Sequence, residues 1–221
     1  FRSPLTSIHG YAQAMLDGTI PYEAQEKYLN IILSETDRLT NLTSNLLELN
    51  SFNGDNVLLD ITTFNICETI VQTVNTLEGT AAKKEISFVL DYNTQKELLV
   101  EADESKIHQV LYNLIDNAVK FSHNNSEIKI SLRKKGAKVF VSVKDSGIGI
   151  PKESLNKVFD RFYKTDISRG KDKRGTGLGL SISKEIIQAH NQTINVVSTV
   201  DVGTEFVFTL KYHSKKQEAS S

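Results

Sequence analysis

From Tyr28 to Leu49 the apolar residues fall at Tyr28, Ile32, Leu39, Leu42, Leu46 and Leu49, in alternating steps of four and three with Glu35 in the one polar slot. That is a heptad seam, the stripe of a helix packed lengthwise against another helix. The spacing predicts a helix from about Ala24 to Phe52, roughly 40 Å long at 1.5 Å per residue and too narrow in its apolar stripe for a compact mixed domain. It should be half of a helical hairpin. The other half is expected over Leu5 to Asp17, where Leu5, Ile8, Ala12, Met15 and Leu16 share a face, with the turn in GTIP at Gly18 to Pro21. Folding the short helix onto the long one leaves the Leu39 to Leu49 seam uncovered, so the first helix is expected to begin about two to four turns upstream of Phe1. A hairpin buries one stripe from each helix, which predicts a homodimeric four-helix bundle through residues 1–54.

From about Thr62 the period changes to short β-like runs alternating with helices. Strands are expected near Thr63 to Asn65, Ile86 to Asp91, Leu98 to Glu101, Ile128 to Lys134, Val139 to Asp145, Thr193 to Thr199 and Thr204 to Leu210. Helices are expected over Ile66 to Lys84, Glu104 to Ser122, Lys152 to Val158 and Leu178 to His190. Strand pairs joined at Lys135-Gly136 and at Asp201 to Gly203 read as hairpins, so the sheet is mixed. The expected class is α+β, with the helical hairpin followed by a two-layer α/β sandwich over residues 55–213 and a polar tail over 214–221. A net charge of -1 offers no general attraction to nucleic acid. The single cysteine, Cys67, excludes an internal disulfide and a thiol zinc cluster, which fits a reducing cytoplasm. No run of about 18 apolar residues opens or interrupts the chain, so this portion is expected to be soluble, with membrane anchoring left to a longer parent.

Three separated elements describe a nucleotide pocket. Asn113 and Asn117 lie four apart on a predicted helix, so both amides project from one face. An amide oxygen is a hard, neutral ligand suited to Mg²⁺, and its NH₂ can donate to phosphate. Lys120 lies three residues further along that face as a phosphate countercharge. Asp145 ends a strand before Gly147, Gly149 and Ile150 in DSGIGIP, where a carboxylate can accept from the exocyclic amine of adenine. Gly175, Thr176, Gly177, Leu178 and Gly179 open a helix whose first amides can meet phosphate oxygens. Between them lies FDRFYKTDISRGKDKRG, in which Phe159, Phe162 and Tyr163 can anchor a lid while Arg161, Lys164, Arg169, Lys171, Lys173 and Arg174 stay near phosphate. No GxxxxGK precedes Ser or Thr, so a P-loop is excluded.

Taken in order, these motifs resemble the ATP-binding domain of sensor histidine kinases, and FRSPLTSIHGYAQ is similar to the stretch just after their phosphoacceptor histidine. The resemblance spans nearly the whole chain apart from the polar tail. It implies a dimeric bundle presenting histidine, a Bergerat-type domain using ATP and Mg²⁺, and transfer onward to a response-regulator receiver aspartate. The family pattern puts the acceptor histidine two residues before Phe1, followed by an acidic base, and both fall outside these 221 residues. His9 lies about three turns beyond that position and is expected to be a bundle residue. Ser3 matches the family threonine whose hydroxyl positions water for regulator dephosphorylation, and Pro4 its proline. Lys164 stands where relatives carry Arg, keeping charge without the planar fork. Asn191-Gln192 replaces a Gly-containing turn. Two other readings share parts of the pocket: a conformational ATPase of the gyrase, mismatch-repair and heat-shock chaperone class, and a nucleotide-binding scaffold without kinase activity.

Overall fold

The computed structural model describes residues 2–51, 58–92, 97–165 and 175–214. Contacts divide the chain into two compact units, residues 1–51 and residues 52–221. The boundary expected at 54/55 and the tail beyond 214 fall at or outside the edge of the described residues.

The first unit is an antiparallel helical hairpin. Helix α1 runs Arg2–Leu16 and α2 runs Gln25–Ser51, the latter entered through a 3-10 turn at Tyr22–Ala24. Pro4 sits in the first turn of α1, where its missing N–H breaks no helix bond. Gly18 ends α1 at φ +78, and Ile20 N–H folds back onto the carbonyl of Ala14 at 2.9 Å, which buries Ile20. Tyr11 and Tyr28 pack across the hairpin with ring centroids 5.1 Å apart. The seam expected on α2 is its least exposed stripe, but two details differ. Leu42 and Leu49, seven residues apart on one line, are buried at 8% and 0% exposure. Leu5 and Leu16, expected on the packed face of α1, are 55% and 84% exposed; Leu5 lies in the first turns of the helix and Leu16 is its last residue.

The second unit is a seven-stranded sheet backed by a layer of helices. Its elements are β1 Thr62–Asn65, α3 Ile66–Ala82, β2 Ser87–Asp91, β3 Leu99–Ala102, α4 Glu104–Phe121, β4 Glu127–Lys135, β5 Lys138–Lys144, α5 Gly179–Ala189, β6 Ile194–Thr199 and β7 Gly203–Tyr212. The order is β1-β3-β7-β5-β4-β2, with β6 also paired to β7. Among the described residues only β2 and β4 pair in parallel, while β4–β5 and β6–β7 form the expected hairpins. Alternation sets the buried side: Ile128, Ile130 and Leu132 on β4 share it with Val139, Val141 and Val143 on β5 and Phe206, Phe208 and Leu210 on β7, all at 5% exposure or less. Each such side chain contributes about 1.5–3 kcal/mol on leaving water. The helix expected over Lys152 to Val158 is instead a 3-10 turn at Lys152–Ser154 followed by further turns. Its short apolar run is too brief to repay helix nucleation.

Candidate functional site

Helix α4 is the foundation of the site. Asp103 caps it, accepting from Lys106 N–H at 3.1 Å. Ile107, Val110, Leu111, Leu114, Ile115, Ala118 and Val119 are all at most 3% exposed and occupy one side at helical spacing. The same period leaves Asn113, Asp116, Asn117 and Lys120 half-buried at the rim. Asn113 Nδ2 donates to Gly179 O at 3.2 Å and to Ser183 Oγ at 3.3 Å, stitching α4 to the start of α5. Among the described residues nothing engages Asn113 Oδ1 or the Asn117 amide. Lys120 reaches back one turn to Asp116 at 2.6 Å.

Asp145 follows β5 and is 5% exposed. Burial pushes its carboxyl above the ordinary carboxylate range, against the Gly147 and Thr204 N–H groups, which stabilise the anion. Both bonds fall on Oδ1, at 2.9 and 3.2 Å, and the unused Oδ2 can take a further donor. Gly149 sits at φ +66, and a Cβ there would lie 2.1 Å from the Thr199 carbonyl, so only glycine lets the loop pass β6. Ile150 N–H donates to Ser198 Oγ at 2.8 Å, tying DSGIGIP to the same hairpin.

The region after this loop is arranged differently from a simple ring of phosphate ligands. Tyr163 hydroxyl donates to Ser154 Oγ at 2.9 Å, and Phe159 packs edge-on against Phe206 at 6.1 Å, so these two aromatics anchor the segment. Phe162 is 54% exposed with φ +63, its N–H bonded to Gly177 O at 2.9 Å. That bond brings the two ends of the basic stretch together. Arg161 turns to Glu185 on α5 at 3.6 Å. Lys164 and Gly175 are half-buried with contacts of their own. Thr176 Oγ1 accepts from Leu178 N–H at 3.3 Å, and fully buried Leu178 leads into α5 at Gly179. Arg169, Lys171, Lys173 and Arg174 lie outside the described residues. On α1, Ser3 and His9 are both exposed.

Sequence reasoning missed the support under Asp145. Gly203 was read only as a hairpin turn, yet a Cβ there would lie 2.0 Å from the Asp145 carbonyl. Its neighbour Thr204 supplies the second N–H to the carboxylate and accepts nothing less from Asp145 N–H, which bonds Thr204 O at 2.9 Å. The Gly-Thr pair opening a strand was the available signal.

Comparison with known proteins gives the family. Residues 102–214 match the family described as "Histidine kinase-, DNA gyrase B-, and HSP90-like ATPase", and residues 1–54 match "His Kinase A (phospho-acceptor) domain". The sensor histidine kinase WalK of Bacillus subtilis (strain 168) is 34% identical over 222 residues, covering 98% of this chain. The chain spans only 36% of that relative's length. Among solved structures, the histidine kinase ThkA in complex with the response regulator protein TrrA is 33% identical with a TM-score of 0.75, covering 98% of this chain and 60% of that one. Acinetobacter baumannii histidine kinase AdeS shares the fold, at TM-score 0.80 and 24% identity over 96% of this chain and 97% of that one. The two family matches and the relatives place the chain in one family, with the helical hairpin and mixed-sheet sandwich that go with it: it belongs to the sensor histidine kinases.

Proposed function

We propose that residues 1–221 form the kinase core of a longer sensor protein, which transfers the γ-phosphate of ATP to the histidine that the family pattern puts two residues before Phe1. The observation that carries this reading is the convergence on α4. Asn113 is held by α5, Asn117 is uncommitted one turn on, and the Asp145 loop closes beside the helix end through the Ser122 to Gly147 bridge. Asp145 Oδ2 receives the adenine amine, while Gly177, Gly179 and the opening amides of α5 face the phosphates. The family domain implies ATP, and Mg²⁺ fits the donor set. Asn113 and Asn117 offer neutral amide oxygens, and no cluster of three or more acidic, His or Cys side chains that could hold a metal stands among the described residues. Bound Mg²⁺ would supply charge neutralisation of the phosphates, with phosphate oxygens and water completing its shell.

The acceptor imidazole attacks in line, and the acidic residue that follows it in the family pattern takes its proton. Lys120 and the lid cations offset the charge that develops. The phosphohistidine then passes its phosphate to a response-regulator aspartate, a reading supported by the regulator complex of ThkA. Ser3, exposed on the first turn of α1, orients water when the regulator is dephosphorylated. The hairpin pairs with a second copy, supported by the exposed Leu29, Leu33 and Leu47 along α2. The core works in the cytoplasm, with anchoring left to the parent. A form extended upstream by the family's acceptor segment should incorporate label from γ-labelled ATP as an acid-labile, alkali-stable phosphohistidine, unaffected by His9→Ala. Residues 1–221 alone should bind ATP without self-labelling. Robust labelling that His9→Ala abolishes would overturn the assignment.

A further inference from the structure

The end of α4 has more carbonyls to satisfy than its own helix can serve. The last-turn oxygens lack helical N–H partners and carry the negative end of the helix dipole. Ala118 O receives Ser122 N–H at 2.9 Å, and Phe121 O receives Ile148 N–H at 3.2 Å. Those at Val119, Lys120 and Ser122 all converge on one group. Lys84 Nζ donates to them at 2.7, 2.9 and 3.0 Å. Lys84 lies two residues past the end of α3, with its N–H bonded to Ala81 O, and its own carbonyl receives Asn125 N–H at 3.0 Å, so its backbone is held at both polar groups.

This capping ammonium stands directly behind the nucleotide loop. Ser122 bridges to Gly147, and the Phe121 carbonyl seats Ile148, while Gly147 N–H holds Asp145 Oδ1 at 2.9 Å. Three carbonyls gathered by one ammonium keep residues 119–122 in a single conformation, and that conformation sets where the Asp145 to Ile150 loop lies. We propose that Lys84 is a positioning residue of the nucleotide site, acting on adenine recognition through the end of α4 without touching the nucleotide. The inference rests on the ATP reading above. A fixed countercharge spanning three carbonyls is worth more than any of its neutral counterparts, since hydrogen bonds from a charged donor are roughly twice as strong.

The test is ATP and GTP binding to residues 1–221 by titration calorimetry, with circular dichroism to verify folding. Lys84→Ala should weaken ATP binding about tenfold, an equilibrium shift of about 1.4 kcal/mol. Because the effect runs through the Asp145 loop, the preference for ATP over GTP should shrink in parallel, which a general loss of stability would not produce. Propylammonium chloride, whose head can refill the carbonyl cage, should restore affinity and preference where equal NaCl does not. Lys84→Met keeps the apolar stem and should show the same loss if the alanine variant fails to fold. Unchanged ATP affinity in either folded variant overturns the proposal, as does a loss with intact ATP preference and no ammonium rescue. If neither variant folds, Lys84 is a determinant of the fold and the positioning role is overturned. Wild-type chain that binds no ATP would instead overturn the ATP reading itself.

Discussion

At the scale of single residues, the proposed recognition of adenine turns on Asp145, which is 5% exposed. An ionised carboxyl would be the stronger acceptor for an adenine amine, yet burial raises its pKa, with the Gly147 and Thr204 amides only partly opposing this. Folding therefore favours the protonated form. This group's contribution to stability is present below the unfolded value of 3.8 and is lost as pH rises through the higher folded value. Nucleotide affinity has the opposite sign, rising as the carboxylate forms. ATP binding should weaken as pH is lowered from 7 toward 4, while Asp145→Asn should be weak throughout and insensitive to pH in that range; calorimetric titration checks both. Asn113, Asn117 and Asp145 stand out in the sequence because each offers a chemistry that few other side chains share. Their supports do not. Gly203 and Thr204 act through the backbone, Ser183 through its hydroxyl and Lys84 through its ammonium, on partners brought together only by folding, and none of them advertises its partner in the sequence.

At the scale of elements, glycine and alternation set the frame. Period-two alternation made β4, β5 and β7 readable to within a residue or two of their observed ends, and both hairpins stand where Lys135-Gly136 and Asp201 to Gly203 predicted them. The Lys152 to Val158 stretch failed as a helix because a few apolar residues specify burial more strongly than conformation; Val158 and Ser154 are buried all the same. Gly149 offers the clearest test of this level. With φ +66 and a virtual Cβ 2.1 Å from Thr199 O, Gly149→Ala combines backbone strain with a clash against another strand. It should cost about 2 kcal/mol or more, read as a lower urea midpoint at unchanged slope. Gly79, where an added Cβ meets nothing within 4 Å, serves as the control, and Gly79→Ala on α3 should stabilise by about 0.5–1 kcal/mol.

At the scale of the whole molecule, two units with different physics share one chain. The sandwich closes its own core, whereas the hairpin leaves Leu29, Leu33 and Leu47 exposed at 49%, 62% and 72%. A heptad helix with such a face gains by pairing, so light scattering should find a dimer for a form extended upstream; a mass that stays monomeric at every concentration would contradict this. Division into a helical and an α/β part could be read directly from the change of period near Thr62. How the two parts meet during catalysis depends on contacts no single-chain pattern encodes. If α4 presents ATP for transfer to histidine, the rate of autophosphorylation in the extended form depends on its amides. Asn117→Asp replaces a neutral amide, proposed to face phosphate and Mg²⁺, with a fixed negative charge and should lower that rate at least about a hundredfold in a folded protein. A rate equal to wild type would contradict the account.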